Sequence, residues 1–254
     1  MMLCLDAGNT RLKYGLRDGM TWLVQGAIAY ADLDQLALRL PAAPERIIAC
    51  NVAGAQVAER IEHFAERLSR PLEWFVSSAA CAGVVNGYQQ PAQLGADRWA
   101  ALVGARTLQP GAVLVVMAGT ATTIDLLDEQ GVFRGGLILP GLSLMRQALA
   151  RNTAALPAAS GHFSMLPTNT DDAIVSGALD ATLGAIERMA RRFVNVSAAP
   201  AVRYPQTVPG NFCCLLSGGA AVELLPRFDL PVRPIEYLVL EGLARVAWPA
   251  ASAC

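Results

Sequence analysis

Short apolar runs separated by glycine turns open the chain, a pattern typical of β-strands. The runs are Met2–Leu5, Arg11–Leu16 and Thr21–Ala29, and the turns between them are Ala7-Gly8-Asn9 and Asp18-Gly19. Because these turns are short, consecutive strands are expected to lie side by side in antiparallel order. The pattern predicts a three-stranded meander.

Helical spacing follows the meander. One segment carries apolar residues four, three and four positions apart, the spacing of one face of an amphipathic helix: Val57, Ile61, Phe64 and Leu68. A short helix near residues 32–40 and strands over 46–52 and 72–76 surround this segment. The first part of the chain is therefore predicted to have the order β-β-β-α-β-α, with one more strand after it.

The same order of elements returns after residue 111. Predicted strands cover 112–117, 122–127, 132–139 and 213–216, and predicted helices cover 142–150, 171–193 and 235–246. A shift of 111 residues places Asp6–Thr10 on Met117–Ala121, each at a turn between two strands. We predict an α/β chain of two tandem domains, residues 1–110 and 111–254, with a ligand cleft between them.

Composition narrows the class of protein. Hydrophobic residues make up 54% and charged residues 16% of the 254 residues, which excludes a disordered chain. The net charge of −1 offers no electrostatic footprint for nucleic acid. The apolar charge-free window 107–124 is interrupted by proline and glycine, so we expect no membrane span.

Residues typical of metal and redox sites are sparse. Six cysteines contain no C-x-x-C pair, and His63 and His162 lie in unrelated contexts, so neither zinc nor a disulfide framework is favoured. The start, Met1–Leu5, lacks the basic and long apolar regions of a secretion signal. We expect a cytoplasmic protein that binds a small ligand.

The first strand-turn-strand brings an acid, a glycine turn and a cation together. Asp6 ends the first strand and Lys13 lies on the second. A turn of this kind can approach phosphate oxygens, while the acid can hold hydrated magnesium and the lysine can neutralise charge. A plain hairpin with a polar turn is the alternative. The chain has 19 arginines and only one lysine, Lys13, which favours a functional role for it.

The second turn, Gly119–Asp125, is rich in hydroxyl groups that can bind phosphate oxygens. A plain β-rich stretch would be threonine-rich as well, so this segment alone leaves both interpretations open. The duplication favours phosphate binding, because two phosphate turns facing one cleft suit a nucleoside triphosphate. Ser217–Ala220, between an apolar run and a helix, is a tight turn where backbone can lie against a nucleoside.

Two helix starts carry polar side chains with two interpretations each. Asp97 is either a helix N-cap or the acceptor of a hydroxyl proton, with Arg98 binding a substrate carboxylate. Thr170 is predicted to cap a helix whose first turn holds Asp171 and Asp172. Capping is compatible with ligand binding at Thr170, and the sequence leaves the role of Asp97 open.

In this order and spacing, the segments resemble the type III pantothenate kinase family, within the actin-like and sugar-kinase-like phosphotransferases. The resemblance covers nearly the whole chain. It depends on the motifs Asp6-Ala-Gly-Asn-Thr-x-x-Lys13, Tyr88-x-x-Pro91-x-x-Leu-Gly95-Ala-Asp97-Arg98, Gly119-Thr120-Ala-Thr-Thr, Gly135-Gly136-x-Ile-x-Pro140-Gly141, Asn169-Thr170-x-x-Ala-Ile174 and Ser217-Gly-Gly.

The resemblance implies two ribonuclease H-like domains of the actin-like ATPase type with a nucleotide cleft between them. It implies ATP-dependent phosphorylation of pantothenate to 4'-phosphopantothenate, the first step of coenzyme A biosynthesis, by a homodimer that uses a divalent cation such as Mg²⁺. Asp97 would accept the proton. ATP would be bound by Asp6, Ala7, Gly8, Asn9, Thr10, Arg11, Leu12, Lys13 and Thr120. Pantothenate would be bound by Tyr88, Gly95, Ala96, Asp97, Arg98 and Thr170.

One position departs from the family pattern. The family usually carries an aspartate before the second turn, in D-x-G-T, where this chain has Met117. That aspartate is the ligand associated with the family's use of potassium or ammonium, and a thioether is a poor ligand for a hard cation. The resemblance therefore carries over the kinase activity but no ligand for a monovalent cation.

Two rival functions differ in testable ways. A superfamily kinase acting on a sugar or small acid would keep both phosphate turns but lack the constellation from Tyr88 to Arg98. A nucleotide-binding accessory or regulatory protein would bind ATP without forming product. Asp6, Lys13 and Asp97 occur together here, which favours an enzyme.

Overall fold

The computed structural model describes residues 1–152, 160–197 and 213–247. Its strands are β1 (Met2–Ala7), β2 (Leu12–Asp18), β3 (Thr21–Ile28), β4 (Arg46–Asn51), β5 (Leu72–Trp74), β6 (Ala80–Cys81), β7 (Val84–Asn86), β8 (Val113–Ala118), β9 (Ala121–Leu127), β10 (Val132–Pro140), β11 (Cys214–Ser217) and β12 (Val232–Pro234). Its α-helices are α1 (Leu36–Arg39), α2 (Ala55–Arg67), α3 (Ala96–Leu108), α4 (Leu142–Asn152), α5 (Thr170–Ser197), α6 (Ala221–Leu224) and α7 (Leu238–Ala247).

Contacts divide the chain into two compact units. The first unit comprises Met1–Gly111, Glu129–Arg134 and the C-terminal segment from Tyr237, and the second comprises Ala112–Asp128 and Gly135–Glu236. These units differ from the sequence ranges 1–110 and 111–254 because two later segments pack with the first unit. Within the described stretches, no helix combines the length and hydropathy that a membrane span requires.

The sheet of the first unit has the order β3-β2-β1-β4-β5. β2 runs antiparallel to β1 and β3, while β4 runs parallel to β1 and β5. All of β1 is buried, as expected for a central strand covered on both faces. On one face Leu3 and Leu5 join a core cluster with Ile61 and Phe64 of α2. α7 also contacts β1, β2 and β4.

The predicted β-β-β-α-β-α order is confirmed in the first unit, with two local differences. The helix predicted near residues 32–40 is mostly a 3₁₀ turn, Tyr30–Gln35, followed by the single α-helical turn α1. The hairpin of β6 and β7 escapes the sequence pattern, because strands of two and three residues are too short to show alternation.

The sheet of the second unit contains β12-β11-β8-β9-β10 in that order. β8 pairs antiparallel with β9 and parallel with β11, which is parallel to β12. Leu179, Leu183 and Ile186 of α5 pack in one core cluster with Leu114 and Val116 of β8. The apolar stripe predicted for this long helix is therefore its buried face.

Helices α3 and α7 of the first unit cross at two glycines. A Cβ added to Gly242 would overlap the carbonyl oxygen of Ala100, and one added to Gly104 would lie 2.5 Å from the carbonyl oxygen of Leu238. The two backbones are thus closer than side chains would allow. This crossing attaches the last helix to the first unit.

Gly242→Ala should lower the free energy of unfolding by about 1–3 kcal/mol, because the methyl group forces two packed backbones apart. The matched control is Gly184→Ala on α5, where an added Cβ meets nothing within 4 Å. There the loss of glycine's flexibility should stabilise by about 0.5–1 kcal/mol. Urea unfolding measures both; an unchanged midpoint for Gly242→Ala would contradict the close crossing.

Candidate active site

Three polar side chains form a row across the first sheet. Asp6 of β1 is opposite Lys13 of β2 and Cys50 of β4 in the strand register, so all three project from one face. Lys13 Nζ lies 2.9 Å from Asp6 Oδ2, and the Cys50 thiol donates to Asp6 Oδ1 with a sulfur–oxygen distance of 3.7 Å. Asp6 is 2% exposed, whereas the Lys13 side chain is 31% exposed. Solvent therefore reaches the row mainly through the Lys13 side chain.

Burial and neighbouring charge set the protonation states in this row. Burial alone would lower the pKa of Lys13, but the adjacent Asp6 carboxylate more than offsets it, so the pKa of Lys13 is raised. Burial, and then the charge of Asp6, raise the pKa of the Cys50 thiol well above its ordinary value. The lysine stays charged and the thiol stays protonated as a donor.

The turn Gly8–Arg11 follows the row and opens to solvent at its last three residues. Ala7 and Leu12, which flank it, are both fully buried, so their predicted contact with ATP stays a prediction. Gly8 has no positive φ, and an added Cβ would meet only the Arg11 carbonyl oxygen at 3.7 Å. Glycine here leaves the backbone uncovered rather than satisfying a conformational need.

Two hydrogen bonds from outside the turn hold its first part. The backbone N–H of Val52 donates to the carbonyl oxygen of Ala7 at 3.0 Å. The hydroxyl of Tyr30 donates to the carbonyl oxygen of Gly8 at 2.5 Å. Sequence reasoning missed Tyr30, because it lies outside the turn motif and no local pattern marks it.

Asp97 is the second residue of α3, and the prediction that it is an N-cap is wrong. The N-cap position is Gly95, which has no side chain to cap the helix. Asp97 Oδ1 accepts the backbone N–H of Arg98 at 2.8 Å. A Cβ on Gly95 would lie 2.7 Å from that same oxygen. Gly95 therefore leaves room for the carboxylate at the start of the helix.

Burial raises the pKa of Asp97 and is the largest influence on it. The Arg98 backbone N–H lowers it, the charge of Asp6 raises it, and the charges of Arg98 and Lys13 lower it. Asp6 and Lys13 therefore lie near enough to Asp97 for their charges to act on it, which places the three groups in one candidate site. A carboxyl with raised proton affinity suits a proton acceptor.

Tyr88 and Arg98, both predicted substrate residues, are in contact. Arg98 is 5% exposed, and its Nη1 donates to the Tyr88 hydroxyl at 2.9 Å. Its guanidinium carbon lies 5.6 Å from the centre of the Tyr88 ring and 5.8 Å from that of Phe133. Both distances are in the range of cation–π attraction. Phe133, on β10, escaped sequence reasoning because strand pairing brings it here.

Asn86 holds the segment that carries Tyr88. Its Nδ2 donates to the carbonyl oxygens of Ser78 and Pro91 at 3.1 and 3.2 Å, and its Oδ1 accepts the Tyr88 N–H at 3.1 Å. Side-chain bonds of a buried amide to three backbone groups make the loop rigid. The orientation of Tyr88 is thus set by a residue that no motif includes.

In the second unit, the turn Gly119–Thr120 is exposed and is shorter than the first turn. The Gly141 N–H donates to the Thr120 carbonyl oxygen at 2.9 Å, and a Cβ on Gly141 would lie 2.6 Å from that oxygen. Gly218, at φ +106°, packs equally tightly on Ala118 of β8. Three glycine backbones, those of Gly119, Gly141 and Gly218, therefore lie close together at this end of the sheet.

Thr170 is the first residue of α5, and the prediction that it caps the helix is corrected to Asn169. Asn169 Oδ1 accepts the Asp172 N–H at 2.9 Å, and its Nδ2 donates to Asp172 Oδ2 at 2.7 Å. This is a reciprocal cap at the helix start. Thr170 is exposed, so its predicted contact with pantothenate stays a prediction.

Two kinds of cation are relevant to this site, a divalent ion such as Mg²⁺ and a monovalent ion such as potassium. Among the described residues, no three His, Cys, Asp or Glu side chains cluster as metal ligands. Mg²⁺ commonly uses one or two carboxylates together with waters and substrate phosphates, and Asp6 beside an open turn fits this. Met117, paired with Thr123 across β8 and β9, does not fit potassium, because its sulfur is soft.

Comparison with known proteins decides the family. The sequence profile of the type III pantothenate kinase family matches residues 2–192. This chain belongs to the type III pantothenate kinase family. A type III pantothenate kinase from Aromatoleum aromaticum is 47% identical over 249 residues, covering 97% of this chain and 98% of the relative. One from Dechloromonas aromatica is 44% identical and covers 97% and 99%.

Solved structures share the fold. A candidate 2-dehydro-3-deoxygalactonokinase from Sinorhizobium meliloti has a TM-score of 0.58 at 16% identity, covering 98% of this chain and 100% of the other. A candidate Baf-family transcriptional activator from Campylobacter jejuni has a TM-score of 0.57 at 20% identity, with 96% of each chain covered. At these identities the likeness concerns the fold alone, and it agrees with the two tandem actin-like domains expected of the pantothenate kinase family.

Asp97→Asn should lower kcat by up to about 10²-fold while the protein stays equally stable or becomes more stable at neutral pH. Because the pKa of Asp97 is raised in the folded state, its ionised carboxylate lowers the free energy of unfolding. This destabilisation is fully present above the pKa of Asp97 in the folded state and vanishes as the pH falls below its pKa in the unfolded state. The same shift places the acid limb of wild-type kcat/KM, which reports the ligand-free enzyme, above pH 3.8, aspartate's ordinary pKa.

Thermal unfolding at several pH values, kcat at neutral pH and the pH profile of kcat/KM measure these effects. Asp18→Asn, at the exposed end of β2, is the control and should change neither. A clear loss of stability in Asp97→Asn at pH 7, or full activity, would contradict the role of the carboxylate.

Proposed function

We propose that this chain transfers the γ-phosphoryl group of ATP to the primary hydroxyl of pantothenate, the first step toward coenzyme A. The observation that carries the proposal is the combination, in one unit, of the Lys13–Asp6 pair with Asp97, whose pKa is raised. Phosphoryl transfer depends mainly on alignment and charge stabilisation, and these residues provide both. Family membership supports ATP and pantothenate as the substrates.

On the ATP side, the exposed turn Gly8–Arg11 would offer backbone N–H groups to the phosphates. Lys13, the partly exposed member of its ion pair, would balance the charge that develops on the transferred group. Asp6 would hold hydrated Mg²⁺, which supplies charge neutralisation when it is bound. Thr120, exposed in the second turn, would add a hydroxyl donor.

On the acceptor side, Arg98 would attract the pantothenate carboxylate while Tyr88 and Phe133 keep the guanidinium in place. Gly95 and Ala96, at the start of α3, would contribute backbone N–H groups and the positive end of the helix dipole. Thr170 would complete the substrate contacts.

Asp97 would take the proton of the attacking hydroxyl. The hydroxyl oxygen forms a bond to the γ-phosphorus as the bond from that phosphorus to the bridging oxygen of ADP breaks. Arg98 orients the acid through its backbone N–H, which Asp97 Oδ1 accepts at 2.8 Å. The products are 4'-phosphopantothenate and ADP, with the proton left on Asp97.

We further propose that activity needs no monovalent cation at position 117. Met117 lacks the hard oxygen donors that potassium and ammonium sites use. Potassium stimulation of turnover would mean that the ion binds elsewhere. Homodimer formation and a cytoplasmic location also belong to the proposal. The location is supported by five free cysteines among the described residues, which are typical of a reducing compartment.

The direct test is ADP release by the purified chain with ATP, Mg²⁺ and pantothenate, in sodium buffer and again with potassium or ammonium added. Pantothenate-dependent release at equal rates in all three buffers is the expected result. ATP binding without release would favour the accessory or regulatory alternative, and release only with another hydroxyl compound would favour the other kinase alternative. Analytical ultracentrifugation tests the dimer.

Tyr88→Phe should raise the KM for pantothenate by about 3- to 10-fold, because Arg98 loses the hydroxyl that accepts its Nη1 hydrogen bond. The KM for ATP should stay within about twofold, since Tyr88 contacts no residue of the Lys13–Asp6–Cys50 row in the described contacts. Steady-state kinetics with each substrate varied in turn measures both values. An unchanged pantothenate KM would remove Tyr88 from the acceptor site.

A further inference from the structure

Tyr30 connects a distant segment to the first residue of the phosphate turn. Its hydroxyl lies 2.5 Å from the Gly8 carbonyl oxygen, 22 residues earlier in the chain. The residue begins the 3₁₀ turn Tyr30–Gln35, which follows β3. A short hydrogen bond from a phenol to a turn carbonyl restrains the direction of the neighbouring peptide groups.

The ring of Tyr30 is held independently of its hydroxyl. It packs against the apolar cluster of the first unit, to which Leu33 and Leu36 of the same segment belong. Packing therefore sets the position of the ring, and the hydrogen bond from the hydroxyl holds the Gly8 carbonyl in place relative to that ring. This division makes it feasible to remove the hydroxyl alone while the packing stays in place.

We propose that Tyr30 is a positioning residue for ATP, which holds the Gly8 carbonyl so that the turn presents its N–H groups to the phosphates. The inference rests on the proposed nucleotide site at this turn. Without the bond, ATP must order the turn as it binds, and part of the binding free energy is lost to that ordering.

The protonation state of Tyr30 agrees with positioning rather than proton transfer. Burial, followed by the charge of Asp6, raises the pKa of Tyr30 to about 12. The hydroxyl thus remains a donor throughout the usual assay range. The effect of removing it should be constant between about pH 6.5 and 9.

The test compares Tyr30→Phe with Tyr14→Phe. Tyr14 lies on β2 of the same sheet, is 7% exposed, and has its hydroxyl beside Gly26, away from the turn. In Tyr30→Phe the Kd and KM for ATP with Mg²⁺ should rise about 3- to 10-fold. The KM for pantothenate and kcat at saturating ATP should stay within about twofold, and Tyr14→Phe should match the wild type.

Titration calorimetry with ATP and Mg²⁺ gives the Kd, and kinetics at several pH values gives the other constants. An unchanged ATP Kd in Tyr30→Phe, or an equal change in Tyr14→Phe, would overturn the proposal. So would a fall in kcat with unchanged KM, or a new pH dependence, because both would place Tyr30 in the chemical step. If the wild type binds ATP but forms no product, weaker ATP binding by Tyr30→Phe still supports the positioning role while the proposed function fails.

Discussion

A buried ion pair, Asp6 with Lys13, is the interaction on which the candidate site depends. A carboxylate that is 2% exposed is tolerated only when it is paired and hydrogen-bonded. The sheet provides both partners by register, because Lys13 and Cys50 lie directly opposite Asp6 on the flanking strands. Because the Lys13 side chain remains partly exposed, the pair keeps a positive charge within reach of solvent, where an anionic ligand can be attracted.

The same ion pair links phosphate binding at the turn to proton acceptance by Asp97. The charge of Asp6 helps burial to raise the pKa of Asp97, while Lys13 and Arg98 oppose it. A group bound at the turn that neutralises Asp6 would therefore lower the proton affinity of Asp97. Proton acceptance by Asp97 and phosphate binding at the turn are therefore linked through the charge of Asp6. The ionised Asp97 that serves phosphoryl transfer also lowers the stability of the folded state.

Much of the fold could be predicted from local patterns in the sequence. Alternation and glycine turns predict β1 to β3 and β8 to β10. The motif that contains Tyr88 and Arg98 assigns both residues to the substrate site. Phe133, Asn86, Cys50 and Tyr30 could not be predicted as site residues, because pairing between distant segments brings them to the site. Asn169 and Thr170 are both good capping types, so residue type alone does not choose between them. The sequence predicts a helix over 235–246 but not which helix packs against it; the glycine crossing of α7 with α3 shows that.

The most direct test of the account is transfer of label from γ-³²P-ATP to pantothenate, with the product identified by mass spectrometry, in wild type and Lys13→Met. The account predicts labelled 4'-phosphopantothenate from the wild type and a loss of at least about 10²-fold in Lys13→Met, because the charge on the transferred group is no longer balanced. Labelled product at the wild-type rate from Lys13→Met would contradict it, as would ATP binding by the wild type with no label on pantothenate.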